Sequence, residues 1–331
     1  MTKKVTILIL LIVLISVMSQ AESIPVERSF YLYRKSDIAD AAMGNTGFIF
    51  TTKNSIDTNP AAMANLDKAY YYLGYSHSDY EDGIDISESK NYKTINYFGV
   101  SSPNGGFYYR RFKKNGSDSG RSFKFISNEI GIASASKESE NSGLSIGGTL
   151  KLFINELDDA KITDGTNIKL KREIGYGYGL DLGLLYKSGI LSVALNGENL
   201  LGTIYWDRYD NVYIHSDIKA GAGVELGVLK YGMSAERVLK KGTATKYGQG
   251  LEVTMFTIPS TTSTIFKGCS LKMRAGILSE KFMSSKNSTK SYGMELSRGN
   301  FYMDMLTESG NINIFSGDDN KIYKIAIGAA Y

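Results

Sequence analysis

Leu180-Asp181-Leu182-Gly183-Leu184-Leu185-Tyr186 places Leu180, Leu182, Leu184 and Tyr186 on one face of an extended chain, with Asp181 and Gly183 on the other. Period-two alternation of this kind specifies a strand with one apolar and one polar face. The pattern repeats along the chain. Leu191, Val193 and Leu195 oppose Ser192, Ala194 and Asn196, while Leu251, Val253 and Met255 oppose Glu252 and Thr254. Further on, Leu271, Met273, Ala275 and Ile277 oppose Lys272, Arg274 and Gly276, and Tyr292, Met294 and Leu296 oppose Gly293, Glu295 and Ser297. Turns rich in Gly, Asn, Asp, Ser and Lys separate the runs.

The polar face decides between two architectures. A soluble β-sandwich, the alternative, carries long solvated side chains outside and often Pro in its loops. Here the non-apolar face mixes Gly, Ala and Ser with charges of both signs, which suits an enclosed lumen, and the apolar face suits lipid. Asp181, Glu225, Glu252, Arg274 and Glu295 are therefore the lumen-lining candidates. Paired charges there are expected mainly to neutralise one another and to hold whatever fills the lumen. Roughly fourteen such runs lie between Ala69 and Tyr331, long enough for the ~9–11 residues of a tilted membrane strand. One of them is expected to be continuous over 213–227. The predicted fold class is an all-β transmembrane antiparallel barrel of about 14 strands.

Composition agrees. The 331 residues include 35 Gly and 23 Tyr but only 4 Pro, 2 His, 1 Trp and 1 Cys. Tyr suits strands and the water–lipid boundary, and Gly eases the bends of a closed sheet. A net charge of +4 that includes Lys3 and Lys4 gives no basis for nucleic-acid binding. The single Cys269 excludes an internal disulfide and any cysteine metal cluster. No metal-ligand spacing and no cofactor motif is visible. Gly175-Tyr176-Gly177-Tyr178-Gly179 lacks the following helix that a phosphate loop needs. Ser76-His77-Ser78-Asp79 brings Ser, His and Asp together, but strand neighbours point to opposite faces, so Ser76 and His77 do not share a side. The chain does not read as an enzyme.

The two ends complete the plan. Residues 1–21 read as a secretory signal: Lys3 and Lys4, an apolar stretch from Val5 to Met18, then Ser19-Gln20-Ala21. In the final run Tyr323, Ile325, Ile327 and the terminal Tyr331 share one face. Such a strand must close the sheet on the first one, and it resembles the signal that barrel-assembly machinery recognises. Export, then insertion among outer-membrane lipids, is the expected route. The barrel is assigned to residues 67–331.

Residues 22–66 do not alternate and are expected to form a hatch inside the barrel. Asp37 to Gly44 reads as a short helix capped by Asp37 or Ser36 and stopped near Gly44. A second begins at Asn59, with Pro60 at its first helical position and Ala61 following. Gly44, Asn59, Pro60 and Ala61 are the hatch or gate candidates. The order of short helix, Ala-Met-Gly, a Ser/Thr-rich stretch and Asn-Pro-Ala resembles the hatch of the FadL-like long-chain fatty acid transporters, and more closely their PorV-type relatives. The likeness continues through Gly179–Tyr186, Leu195–Leu200, Lys219–Gly223, Met273–Gly276 and the final strand. Asn45 and Ala62 stand where glycines are usual. The resemblance implies a 14-stranded barrel with an N-terminal hatch. It implies either passive passage of a small hydrophobic ligand or, in the PorV-type branch, service to secretion-system proteins. A general porin for hydrophilic solutes is a third reading.

Overall fold

In an up-and-down meander each strand hydrogen-bonds to the next, and the sheet loses its open edges only when the last strand returns to the first. The computed structural model describes residues 37–79, 92–118, 121–139, 143–163, 167–207, 211–239, 245–259, 268–282, 285–310 and 320–331. The expected signal, residues 1–21, and the first part of the expected hatch, 22–36, lie outside them. The strands are β1 (Tyr70–Asp79), β2 (Tyr92–Ser101), β3 (Gly105–Asp118), β4 (Arg121–Lys137), β5 (Leu144–Thr163), β6 (Asn167–Ser188) and β7 (Leu191–Trp206). There follow β8 (Val212–Tyr213), β9 (Asp217–Leu226), β10 (Leu229–Val238), β11 (Thr245–Thr257), β12 (Cys269–Phe282), β13 (Ser285–Arg298), β14 (Phe301–Gly310) and β15 (Asn320–Ala330).

Fourteen of these make the closed circuit, with the two-residue β8 a branch on β7. Closure is by β1 on β15, Tyr70 opposite Ala330 and Leu73 opposite Ile327. The Tyr331 amide then bonds the Ala69 carbonyl at 2.9 Å. The expected continuous strand over 213–227 is broken at 214–216. The cause lies in β7, which bulges twice against β6 and carries Asn199 at φ 52° and Leu201 at φ 60°. β7 pairs with β9 only up to Glu198–Asp217 and resumes with β8 at Thr203–Tyr213, so the partner strand must break opposite the bulge.

Burial is inside out relative to a water-soluble protein. Leu73, Leu150, Val193, Met273, Tyr323, Ile325 and Ile327 are exposed on the outer face, whereas Glu129, Lys151, Asp181, Arg274, Glu295 and Asp304 are buried within. A continuous apolar exterior of this extent is a lipid-contact surface. The tyrosines divide by parity: Tyr71 and Tyr75 face outward, Tyr72 and Tyr108 inward. The inward ones interlock with glycine along one row of strand partners, Tyr302–Gly328–Tyr72–Gly99–Tyr108–Gly131. A Cβ at Gly131 would lie 2.1 Å from the Tyr108 ring, and one at Gly328 2.2 Å from the Tyr302 ring. The Tyr108 and Tyr302 rings fill the space vacated by Gly131 and Gly328, and Tyr97 takes the space at Gly99.

Eight strands leave room only for side chains, so a fourteen-strand lumen needs further filling. The hatch supplies it. Its elements are α1 (Ile38–Ala42), a 3-10 turn Gly47–Ile49, α2 (Ser55–Thr58) and a 3-10 helix Pro60–Asn65. They reach the wall on every side: α1 against β12–β15, α2 against β2 and β3, Gly47–Ile49 against β7 and β9, and Pro60–Asn65 against β4–β6.

Candidate functional site

Two features of the lumen matter for function: how the hatch is seated, and what lies beyond it. The Asp37 carboxylate caps α1, accepting from Ala39 N (2.7 Å) and Asp40 N (3.2 Å), and also takes a hydrogen bond from the Thr52 hydroxyl at 2.8 Å. Burial, with Asp40 close by, pushes the Asp37 carboxyl up to about 7. Gly44 and Asn45 both adopt left-handed backbone, φ 62° and 64°. Asn is the side chain that tolerates this conformation best, so its place beside Gly44 needs no special packing.

Gly44 lies flat on the wall. A Cβ at its wall partner Gly276 would sit 2.1 Å from Gly44 N and 2.4 Å from Met43 C, and one at the adjoining Gly250 2.1 Å from Met43 O. Gly250 and Gly276 are register partners on β11 and β12, forming one bare patch under the hatch backbone. Asn59, Pro60 and Ala61 seat the opposite side. The Asn59 side chain accepts from Ala61 N at 3.1 Å and donates to Phe48 O (3.1 Å) and Leu184 O (3.3 Å). Its recess exists because residue 183 is glycine: a Cβ there would lie 2.0 Å from Asn59 Oδ1. Gly147 likewise admits Pro60, whose carbonyl carbon would be 2.4 Å from an added Cβ.

Charge ties complete the seating. Lys53 pairs with Glu295 and lies over the Tyr302 ring, and Asp57 accepts from Arg110 at 2.9 Å. Burial lowers the Lys53 ammonium from its usual range, against the raising effect of Glu295. Arg274 binds three carboxylates at once: Glu252 (2.6 Å), Glu295 (2.6 Å) and Asp304 (2.9 Å). Asp181 accepts from Lys151 at 2.6 Å and from Asn199 N at 2.7 Å, satisfying a backbone amide that the β7 bulge turns inward. Glu225 differs from the other expected lumen residues. It is half-exposed at the rim, where it meets Lys187 at 3.4 Å. The structure thus gathers Glu252, Arg274 and Glu295 into one cluster, places Asp181 in a second, and leaves Glu225 apart.

The other feature lies beyond the hatch. Ile95, Phe112, Phe125, Phe153, Ile204, Trp206 and Ile214 form a buried apolar cluster in the lumen. Most of them stand on the halves of β3, β4, β5 and β7 away from the hatch-bearing glycines Gly106 and Gly147, on the side of the lumen remote from the chain's C-terminus. Inward parity in these strands otherwise carries charge (Arg110, Lys114, Glu129, Lys151), so alternation does not single out the aromatic residues that share that face. The cluster adjoins the strained β7 segment, where Leu200 is buried and Leu201 faces outward.

No family model and no curated protein matches this chain. Solved structures do. The CymD monoaromatic hydrocarbon channel superposes with a TM-score of 0.63 at 12% identity, covering 91% of this chain and 99% of that one. The Ralstonia pickettii toluene transporter TbuX gives 0.60 at 12%, covering 89% and 98%, and a Pseudomonas aeruginosa FadL homologue 0.57 at 10%, covering 91% and 99%. The chain has the FadL-type fold over nearly its whole length.

Proposed function

We propose that the protein is a passive channel of the bacterial outer membrane for small hydrophobic compounds. The observation that carries this reading is the apolar cluster around Trp206. A lumen that served only water-soluble traffic would be lined with polar groups throughout, whereas this one holds a closely packed set of aromatic and aliphatic side chains, among which a greasy solute would lodge once they part. The channel and transporter names of the fold's relatives, which handle monoaromatic hydrocarbons and toluene, fit the same ligand class. From the cluster a ligand has two ways on: past the hatch, or through the wall at the β7 bulge, where backbone strain of the kind often kept at functional sites is concentrated. Movement follows the concentration gradient. The outward row Tyr323, Ile325, Ile327 and Tyr331 on the closing strand is assigned to recognition by assembly machinery.

Trp206 is the only tryptophan of the chain, so its emission reports on the cluster directly. Titrating the detergent-solubilised protein with toluene, or with a medium-chain fatty acid, is expected to give a saturable change in that emission. Phe153→Ala should weaken the apparent affinity roughly five- to tenfold, the worth of one aromatic contact of about 1 kcal/mol. A change that never saturates, or that is identical in the variant, would remove the cluster from the ligand's path.

A further inference from the structure

Three short turns, at the end of the barrel where the C-terminus lies, share one construction. Gly189-Ile190, Gly227-Val228 and Gly299-Asn300 each join two paired strands directly. The glycines have φ 58°, 60° and 59°, as a two-residue hairpin turn of this hand requires. In all three the second residue's carbonyl is bonded to the next strand of the wall: Ile190 O by Glu225 N, Val228 O by Thr254 N and Asn300 O by Ala330 N, each at 2.8 Å. The tips are therefore part of the sheet and not loops that swing free.

Turn chemistry favours a small polar residue at the second position. Asn300 follows that preference; Ile190 and Val228 do not, and they are 52% and 61% exposed. Leu191, Leu226, Met255 and Phe256 are exposed around them. β7 and β9 are hydrogen-bonded neighbours, and the Val228 carbonyl is stitched to β11, so these side chains form one patch. It runs without a break into the outward apolar faces of the same strands, Val193 and Leu251 among them. Across the barrel the equivalent connections are polar: Ser102-Pro103-Asn104 between β2 and β3, and Glu138-Ser139 after β4.

We infer that the Ile190 and Val228 tips are inserted in the hydrocarbon of the membrane leaflet at the barrel's C-terminal end. The β6–β11 side of the barrel then sits deeper in the membrane than the Asn300 turn. Phospholipid is the occupant because the patch continues the lipid-facing belt and its six named side chains carry no charge or hydrogen-bonding group. The Ile190 and Val228 carbonyls are already bonded, which removes part of the cost of bringing this backbone into hydrocarbon. The inference rests on the membrane reading above, and the test separates the two.

Cys269 is buried and is the only cysteine, so Cys269→Ser provides a clean background. Ile190→Cys, Val228→Cys, Asn300→Cys and Leu195→Cys would each carry an NBD fluorophore, with the protein in vesicles of phosphatidylethanolamine and phosphatidylglycerol. Labels at 190 and 228 are expected to emit at short wavelength and to be quenched by doxyl lipids. The label at 300 is expected to be quenched by aqueous iodide. Labels at 190 and 228 that behave as 300 does, while 195 reports lipid, overturn the insertion and leave the barrel standing. A label at 195 that also reports water overturns the membrane reading itself. Should a label block folding, Ile190→Trp, Val228→Trp and Asn300→Trp in a Trp206→Phe background give the same comparison with brominated lipid.

Discussion

Gly276→Leu should turn a sealed barrel into a leaking one. The Gly44 N and Met43 C atoms that an added Cβ would meet at 2.1 Å and 2.4 Å belong to the backbone, so no rotamer change relieves the overlap. Neighbouring Gly250 already touches Met43, which closes the sideways escape. Overpacking of this kind is relieved by moving whichever body is held less firmly. The wall strand is hydrogen-bonded along its length on both sides, whereas the hatch is held by side-chain packing and separate hydrogen bonds and ion pairs, so the hatch should move. A fourteen-strand lumen without its filling is a wide aqueous path. In planar bilayers the variant is expected to conduct at least about tenfold above the wild type, which should be nearly silent. Gly148→Ala is the control: that glycine faces outward, and an added Cβ meets only Leu182 at 3.3 Å and Asp181 O at 3.5 Å. An unchanged, silent Gly276→Leu barrel would mean the hatch does not rest on this patch.

Arg274→Met should be the most destabilising single replacement in the wall. Glu252, Glu295 and Asp304 all converge on that guanidinium, and each is buried. Lys53, Lys230 and Lys272 also reach Glu295 or Glu252, but Asp304 loses the partner it holds at 2.9 Å. Breaking a buried ionic group while leaving its partners charged typically costs about 3–5 kcal/mol. Urea unfolding in vesicles, followed by the heat-dependent gel shift of folded barrels, should show a loss of that order. Adding Asp304→Asn should recover part of it, because the stranded charge is gone. A loss below about 1 kcal/mol would show that the lysines suffice and the three-way pairing is ornamental.

The sequence disclosed the barrel because membrane strands keep strict alternation, and a one-residue slip would turn every leucine inward. Leu180 to Tyr186 and the run ending at Tyr331 show this most clearly. The caps Asp37 and Asn59 were legible for the same kind of reason, since a side chain that satisfies free amides leaves a local signature. Period two tells which face a residue occupies but not what it meets there. Gly147, Gly183, Gly250 and Gly276 therefore read only as small residues on a polar face. Ser55–Thr58 was too short to show helical periodicity. Phe112, Phe125 and Phe153 share their face with Arg110, Glu129 and Lys151, so no apolar alternation marks them. The break at 214–216 has its cause in another strand, the bulge of β7 at Asn199 and Leu201, and no local pattern could announce it.

Uptake of a radiolabelled aromatic hydrocarbon by Gram-negative cells tests the functional account most directly, because their sugar-coated outer leaflet is the barrier such a channel would bypass. Cells displaying the folded chain should accumulate the probe faster than cells without it, and Phe153→Ala should slow that entry. Equal rates in all three, with the barrel folded and in place, would contradict hydrophobic passage and leave only a structural or docking role for the molecule.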